Sequence, residues 1–249
     1  MWFKHWLAGI RLYIGVATVL VAADVWWWAQ VSFGGGTIAV VRAEEVYAWL
    51  ALAILVAALV IGPLLKIEPN LPGKPLLRDA RRLLGVSAAV FATLHVGISY
   101  VALFHAANPF SLASVYQKAF GLGVVALVVL LAMAFTSFDR AFMGMGIWWF
   151  RLHRLVYVAL LLAVMHAFMV GSHASSAPAL LFIGWVAVLL LGMHITVVAR
   201  RGVQPTNWQL VTLACTALFA LAIFNYGLTQ HLGHNILLHW HDPGGHHHG

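Results

Sequence analysis

The sequence predicts an all-α protein, a polytopic transmembrane helix bundle, and two observations carry that prediction. Of its 249 residues 63% are hydrophobic and only 8% are charged, a balance that an ordinary soluble domain does not show. The apolar residues also gather into stretches of about 20, the length an α-helix needs to cross a hydrocarbon core of about 30 Å. Such spans are expected near residues 12–29, 45–65, 83–105, 120–137, 152–171, 178–198 and 208–229, six forming a core and the seventh added at the C-terminal side.

Taken in order, each span has its own punctuation. The first follows Lys4 and Arg11 and runs into Trp26, Trp27 and Trp28, amphipathic rings that settle at a membrane–water interface. Its opening resembles a signal peptide ending at Val21-Ala22-Ala23, but Arg11 interrupts the apolar run and the run continues past it, so an uncleaved helix is expected. Gly34, Gly35 and Gly36 separate the first span from the second, and Pro69 to Pro75 separate the second from the third. Asn108-Pro109 closes the third, Gly144 and Gly146 follow the fourth, and Pro178 opens the sixth. Pro205-Thr206-Asn207 supplies a capping group before the seventh. Met143 and Met145, interleaved with those two glycines, read as loop residues rather than ligands.

Orientation follows from the basic residues. With the N-terminus inside, every one of the 14 Lys and Arg residues except Arg42 and Lys118 falls on the cytoplasmic side, as the positive-inside rule requires. Asp and Glu do not sort this way, and the rule does not ask them to. The chain is thus expected in a bacterial inner membrane, surrounded by lipid, with its C-terminal tail in the periplasm.

Several function classes drop out. The net charge of +7 comes from loop residues, and the interleaved basic and aromatic runs of a nucleic-acid surface are missing. No connection is long enough to fold alone, and no glycine-rich nucleotide fingerprint follows a strand, so an electron donor would have to be a partner protein or a quinol. The single cysteine, Cys215, leaves no internal disulfide, no CxxCH haem attachment and no thiolate-held iron–sulfur cluster within this chain. A redox centre here must use histidine.

Ionisable residues at membrane depth are costly and are functional candidates by default. His95 follows Arg82 on the third span and His166 follows Arg151 and Arg154 on the fifth, both spans running outward. Counting helical rise from those arginines places both imidazoles roughly 18–22 Å above the cytoplasmic edge. Two level histidines on parallel helices are what a bis-imidazole haem needs, since its axial ligands approach from opposite faces of one porphyrin. Ala88, Ala89, Ala92 and Gly97 leave room for a macrocycle. The competing reading is a neutral imidazole hydrogen-bonded to a neighbouring helix.

His153 precedes His166 on the same span, but the separation turns the two rings about 220° apart beyond whole turns, and the third-span positions level with it are Arg81 and Arg82. A second bis-histidine haem is therefore not implied by spacing. His194, before Arg200 on the sixth span, is a candidate partner for His153, with a polar residue near the interface the favoured reading. His105 and His173, near outer helix ends, fit an outer centre or snorkelling to the headgroups. Arg81, Arg82, Arg151 and Arg154 cluster at the cytoplasmic edge, where they could pair with haem propionates, a flavin phosphate or a quinone, or simply satisfy topology. The tail carries His231, His234, His239, His241 and His246 to His248, a composition that favours metal binding.

Three stretches carry a family resemblance: Arg81-Arg82-Leu83-Leu84-Gly85 with Thr93-Leu94-His95, then Leu131-Ala132-Met133-Ala134-Phe135-Thr136-Ser137, then Leu152-His153-Arg154-Leu155-Val156-Tyr157 leading to His166. In these the chain resembles the ferric-reductase-like transmembrane domain family, and within it the haem-binding membrane subunits of periplasmic methionine sulfoxide reductase systems. The resemblance covers roughly residues 45–198. It implies a haem-binding domain over residues 1–200, with residues 201–249 an added helix and His-rich outer tail. It implies haem b, one or two, with flavin mononucleotide as a further cofactor. It puts His95, His153 and His166 on ligand positions; Arg82, Arg151 and Arg154 at the cytoplasmic edge and, more weakly, His194 stay candidates from the residues themselves. The implied function is transmembrane electron transfer from a cytoplasmic flavin reductase or quinol to a periplasmic redox protein such as a methionine sulfoxide reductase, by a subunit rather than a complete enzyme. The alternatives are direct ferric or cupric reduction, served by the His-rich tail, and a scaffold role within a larger membrane complex.

Overall fold

The computed structural model describes residues 2–68, 70–103 and 114–170, together with the isolated positions 192, 194 and 196–198. Two compact units divide the chain, residues 1–170 and 171–249, and the helices below all belong to the first. They are α1 (Trp2–Ser32), α2 (Gly36–Ile67), α3 (Lys74–Ile98), α4 (Ser114–Phe135), α5 (Asp139–Met145), α6 (Ile147–Arg154) and α7 (Val156–Val170). Among the described residues there is no strand. In a hydrocarbon medium that is the expected outcome, because a helix satisfies its backbone groups within its own segment.

Five stretches are long and apolar enough to cross a membrane: Gly9–Ser32, Gly36–Ile67, Lys74–Ala102, Gln117–Phe135 and Ile147–Val170. They coincide with the first five expected spans. Of the sixth, positions 192, 194 and 196–198 are helical, while the rest of it, the seventh span, His105, His173, Cys215 and the His-rich tail lie outside the described residues.

The boundaries differ from expectation in an instructive way. The turn after α1 is built on Gly34, Gly35 and Gly36 at φ of 67°, 77° and 72°, a conformation that side chains resist. Helix α2 starts directly on it, well before the expected residue 45. Arg42 and Glu45, one turn apart, pair at 2.8 Å, which lets the helix carry charge through its first turns. Similarly α3 starts at Lys74, after Gly73 in the left-handed region and with Pro75 in its first turn, so the expected long connection between the second and third spans shrinks to 68–73. The fifth span breaks at Leu155 into α6 and α7. Met143 sits exposed on the short helix α5 rather than in a loop.

Lipid tails are as apolar as leucine, so helices in a bilayer associate through close packing and hydrogen bonds rather than through hydrophobic burial. The core accordingly runs on small residues. Ala88, Ala89 and Ala159 lie buried with Leu55, Leu130 and Met133, and Ala29 and Ala43 lie buried with Tyr47 and Phe91. Side-chain hydrogen bonds tie the helices further: Tyr47 donates to the Ala22 carbonyl at 2.7 Å, and Thr18 and Ser87 join hydroxyls at 2.7 Å. Outward, Leu12, Val19, Val128 and Phe135 are each more than half exposed, an apolar exterior suited to lipid. Helix α2 packs chiefly on α3 and α4 on α7, while α3 also meets α4. Those contacts set four helices around one point.

Candidate functional site

At that point His95 of α3 faces His166 of α7. Their ring centres are 6.0 Å apart and their planes are inclined by 75°. Each ring is held by its Nδ1. In His166 this atom lies 2.8 Å from the Ala119 carbonyl of α4. A carbonyl only accepts, so Nδ1 carries the proton and Nε2 keeps its lone pair. In His95, Nδ1 lies 2.8 Å from Oε1 of Glu44 on α2 and 3.4 Å from the Glu44 backbone carbonyl, two acceptors that fix the same tautomer. Both rings therefore reserve Nε2, the nitrogen a metal would take.

This arrangement fits a haem iron. A metal–imidazole bond is about 2 Å and the ring centre lies about 1 Å further, so two imidazoles on opposite sides of one metal hold their centres about 6 Å apart. The surroundings are shaped for the rings: a Cβ at Gly123 of α4 would sit 2.9 Å from Nδ1 of His166. Among the described residues no group of three or more His, Cys, Asp or Glu converges as a bare metal site. A pair of imidazoles would suit a ligand that brings its own further nitrogen donors.

Past His95 the helix widens into a single π-helical turn, Ser99–Leu103, a feature often met at functional sites. The Ser99 hydroxyl lies 2.7 Å from Oε1 of Glu44 and 2.8 Å from the His95 carbonyl. Glu44, His95 and Ser99 form one hydrogen-bonded group, and the side chains of Glu44 and His95 are 14% and 19% exposed.

The opposite end of the bundle carries the arginines. Asp139 receives Arg82, and Arg11 approaches both Asp139 and Asp79 at 3.4 Å. The hydrogen bond from Arg82, followed by the charges of Arg11 and Arg82, holds the Asp139 carboxyl below the usual carboxylate range. Arg82 also lies 5.9 Å from the ring centres of Phe142 and Trp149, and Arg151 stands 4.7 Å over Trp148. Arg154 is exposed. Here His153 stacks on Trp149, ring centres 3.8 Å apart, and donates Nδ1–H to the Trp149 carbonyl at 3.0 Å. Its Nε2 is buried with no hydrogen-bond partner among the described residues. Trp149 is in turn anchored through Nε1 to the Thr136 carbonyl at 2.8 Å.

Of the residues singled out from sequence, the structure brings His95 and His166 together and places His153 with Arg82 at the other end. His194 belongs to the second unit. Glu44, Ser99, Gly123 and Trp149 are additions that sequence reasoning missed. The signal for Glu44 was present, since pairing Arg42 with Glu45 leaves one carboxylate over at the start of an apolar helix.

Comparison with known proteins gives two findings. Residues 47–164 match the family described as the ferric reductase like transmembrane component. The chain is also 35% identical, over 143 residues, to the protein-methionine-sulfoxide reductase heme-binding subunit MsrQ of Cronobacter sakazakii, covering 56% of this chain and 69% of that protein. No solved structure matches it.

Proposed function

Because this chain belongs to the ferric-reductase-like transmembrane family, in its MsrQ-like branch, we propose that it carries electrons across the inner membrane through haem b held between His95 and His166. The observation that carries the reading is the pair itself: two imidazoles 6.0 Å apart, each with Nδ1 engaged and Nε2 reserved. Haem, when bound, supplies a one-electron carrier. The chain's own residues would supply two imidazole nitrogens and a fixed orientation for each, within an apolar helix bundle that would tune the potential.

Direction follows from charge. The end bearing Arg11, Arg81, Arg82, Arg151 and Arg154 lies in the cytoplasm, so the His95–His166 pair stands toward the periplasm. Electrons enter from a cytoplasmic flavin reductase or a quinol and leave to a periplasmic acceptor. The MsrQ relative supports a methionine sulfoxide reductase as that acceptor. The chain is an electron-transfer subunit, and bond-making chemistry belongs to its partner. At the cytoplasmic end Arg82 is committed to Asp139, whereas His153, stacked on Trp149, keeps a buried Nε2 without a hydrogen-bond partner among the described residues and is the residue there that would serve a second haem or flavin mononucleotide. One haem per chain, at the His95–His166 pair, is therefore the minimum stoichiometry.

A dithionite-reduced minus oxidised spectrum of the protein purified from haem-replete cells, with haem quantified per chain, tests the reading. Wild type is expected to give a low-spin b-type spectrum with at least one haem per chain, and His95→Ala and His166→Ala are each expected to lose the haem of the pair. Absence of haem from the wild type would overturn the proposal, and a second haem lost in His153→Ala would bring the cytoplasmic site into it.

A further inference from the structure

Glu44 is an acidic side chain within a spanning helix, a costly placement that calls for a reason. Its neighbour Glu45 has one, the 2.8 Å pair with Arg42. The contacts of Glu44 run inward instead. One oxygen, Oε1, faces both Nδ1 of His95 at 2.8 Å and the Ser99 hydroxyl at 2.7 Å, and the side chain is 14% exposed. The carboxylate of α2 is therefore held from one neighbouring helix, α3 with its π-helical turn, against a single ring.

We propose that Glu44 is a positioning residue that fixes the His95 imidazole and sets the reduction potential of the haem bound through it. The inference rests on the haem assignment above and goes beyond it, since His166 has only a backbone carbonyl in the equivalent role. An acceptor at Nδ1–H locks ring and tautomer, and a charged acceptor also makes the other nitrogen a stronger donor to iron. Negative charge close to the centre favours the ferric form, which carries one more positive charge than the ferrous. Both effects act in the same direction, toward a lower potential. The two axial histidines are thus inequivalent: Glu44 tunes through His95, while Ala119 only orients His166.

The test is a redox titration at one fixed pH, in detergent or nanodiscs, of wild type, Glu44→Gln, Glu44→Asp and Glu45→Gln, with low-spin electron paramagnetic resonance spectra of the oxidised proteins. Glu44→Gln keeps the shape and loses the charge. It is expected to move the midpoint to more positive potential by at least about tenfold in the reduced-to-oxidised ratio, about 59 mV for one electron, and to shift the resonance signature. Glu44→Asp is expected to return part of the way, and Glu45→Gln, which removes an equal charge one residue along, is expected to move much less. An unchanged midpoint and signature in a haem-loaded Glu44→Gln overturns the inference, as does a Glu45→Gln shift of equal size. If Glu44→Gln retains too little haem to titrate, Glu44→Asp decides: a loaded protein with a raised midpoint supports the role, and an empty one overturns it. Wild type without haem would instead sink the underlying assignment.

Discussion

Gly123 owes its identity to His166. The two lie on facing helices, and the Ala119 carbonyl that receives the imidazole proton is one helical turn before Gly123, on the same face of α4. A methyl group at Gly123 would meet Nδ1 at 2.9 Å and Cε1 at 3.0 Å, closer than such atoms pack, and the ring cannot retreat without giving up its hydrogen bond. Gly123→Ala is therefore expected to reach the membrane at wild-type levels but to lose most of its haem, several-fold in the ratio of haem to protein after purification. Wild-type occupancy would mean that the ring has slack and that the carbonyl is not what holds it. At this scale the sequence was half legible. The two histidines of the proposed haem site stand out because their depth can be counted along a helix from a basic edge, whereas the contacts of Glu44, Ser99 and Gly123 depend on helix rotation, which counting does not supply.

Helices α1, α3 and α5 meet at the basic end through Asp139, the acidic residue in the first turn of a helix too short to stand without partners. Its folded-state carboxyl titrates below the ordinary value of 3.8, so the ionised form is the one that folding favours. The contribution is thus fully present above about pH 4 and is lost as the pH falls through the lower, folded value. Because the Asp139 side chain is 58% exposed, solvent screening keeps it below about 1 kcal/mol. Asp139→Asn is expected to lower the thermal midpoint of the detergent-solubilised protein slightly at pH 7, and the gap is expected to narrow as the pH falls below the ordinary carboxylate value, as followed by circular dichroism. A gap that persists in acid would assign the loss to packing rather than charge. Elements themselves were well legible where apolarity alone sufficed, as at the end of α4, where the apolar run stops at Phe135 before the polar Thr136 and Ser137, close to the expected 137. They were misjudged where charge and helix coexist: α2 and α3 extend past their apolar runs because Arg42–Glu45 pairing and a proline-opened first turn make helix favourable there too.

For the whole molecule, function depends on which side of the membrane each end faces, and two turns of the fold decide that. The glycine turn at 33–35 and the connection at 68–73 cap opposite ends of α2, so they must lie in different compartments if α2 spans. The connection at 68–73 is flanked by Lys66, Lys74, Arg78, Arg81 and Arg82, whereas Arg42 near the glycine turn is offset by Glu45. Retaining positive charge in the cytoplasm thus orients α2 with its glycine end outward, and the contact between Glu44 and His95 carries the histidine pair to that same side. Reporter fusions give the check. Alkaline phosphatase joined after residue 34 is expected to be active and joined after residue 71 inactive, with a fluorescent protein behaving oppositely. The reverse pattern would place the histidine pair toward the cytoplasm, so that electrons reaching it would still have the membrane to cross, and the route to a periplasmic acceptor would have to run through the end that holds His153 and Trp149.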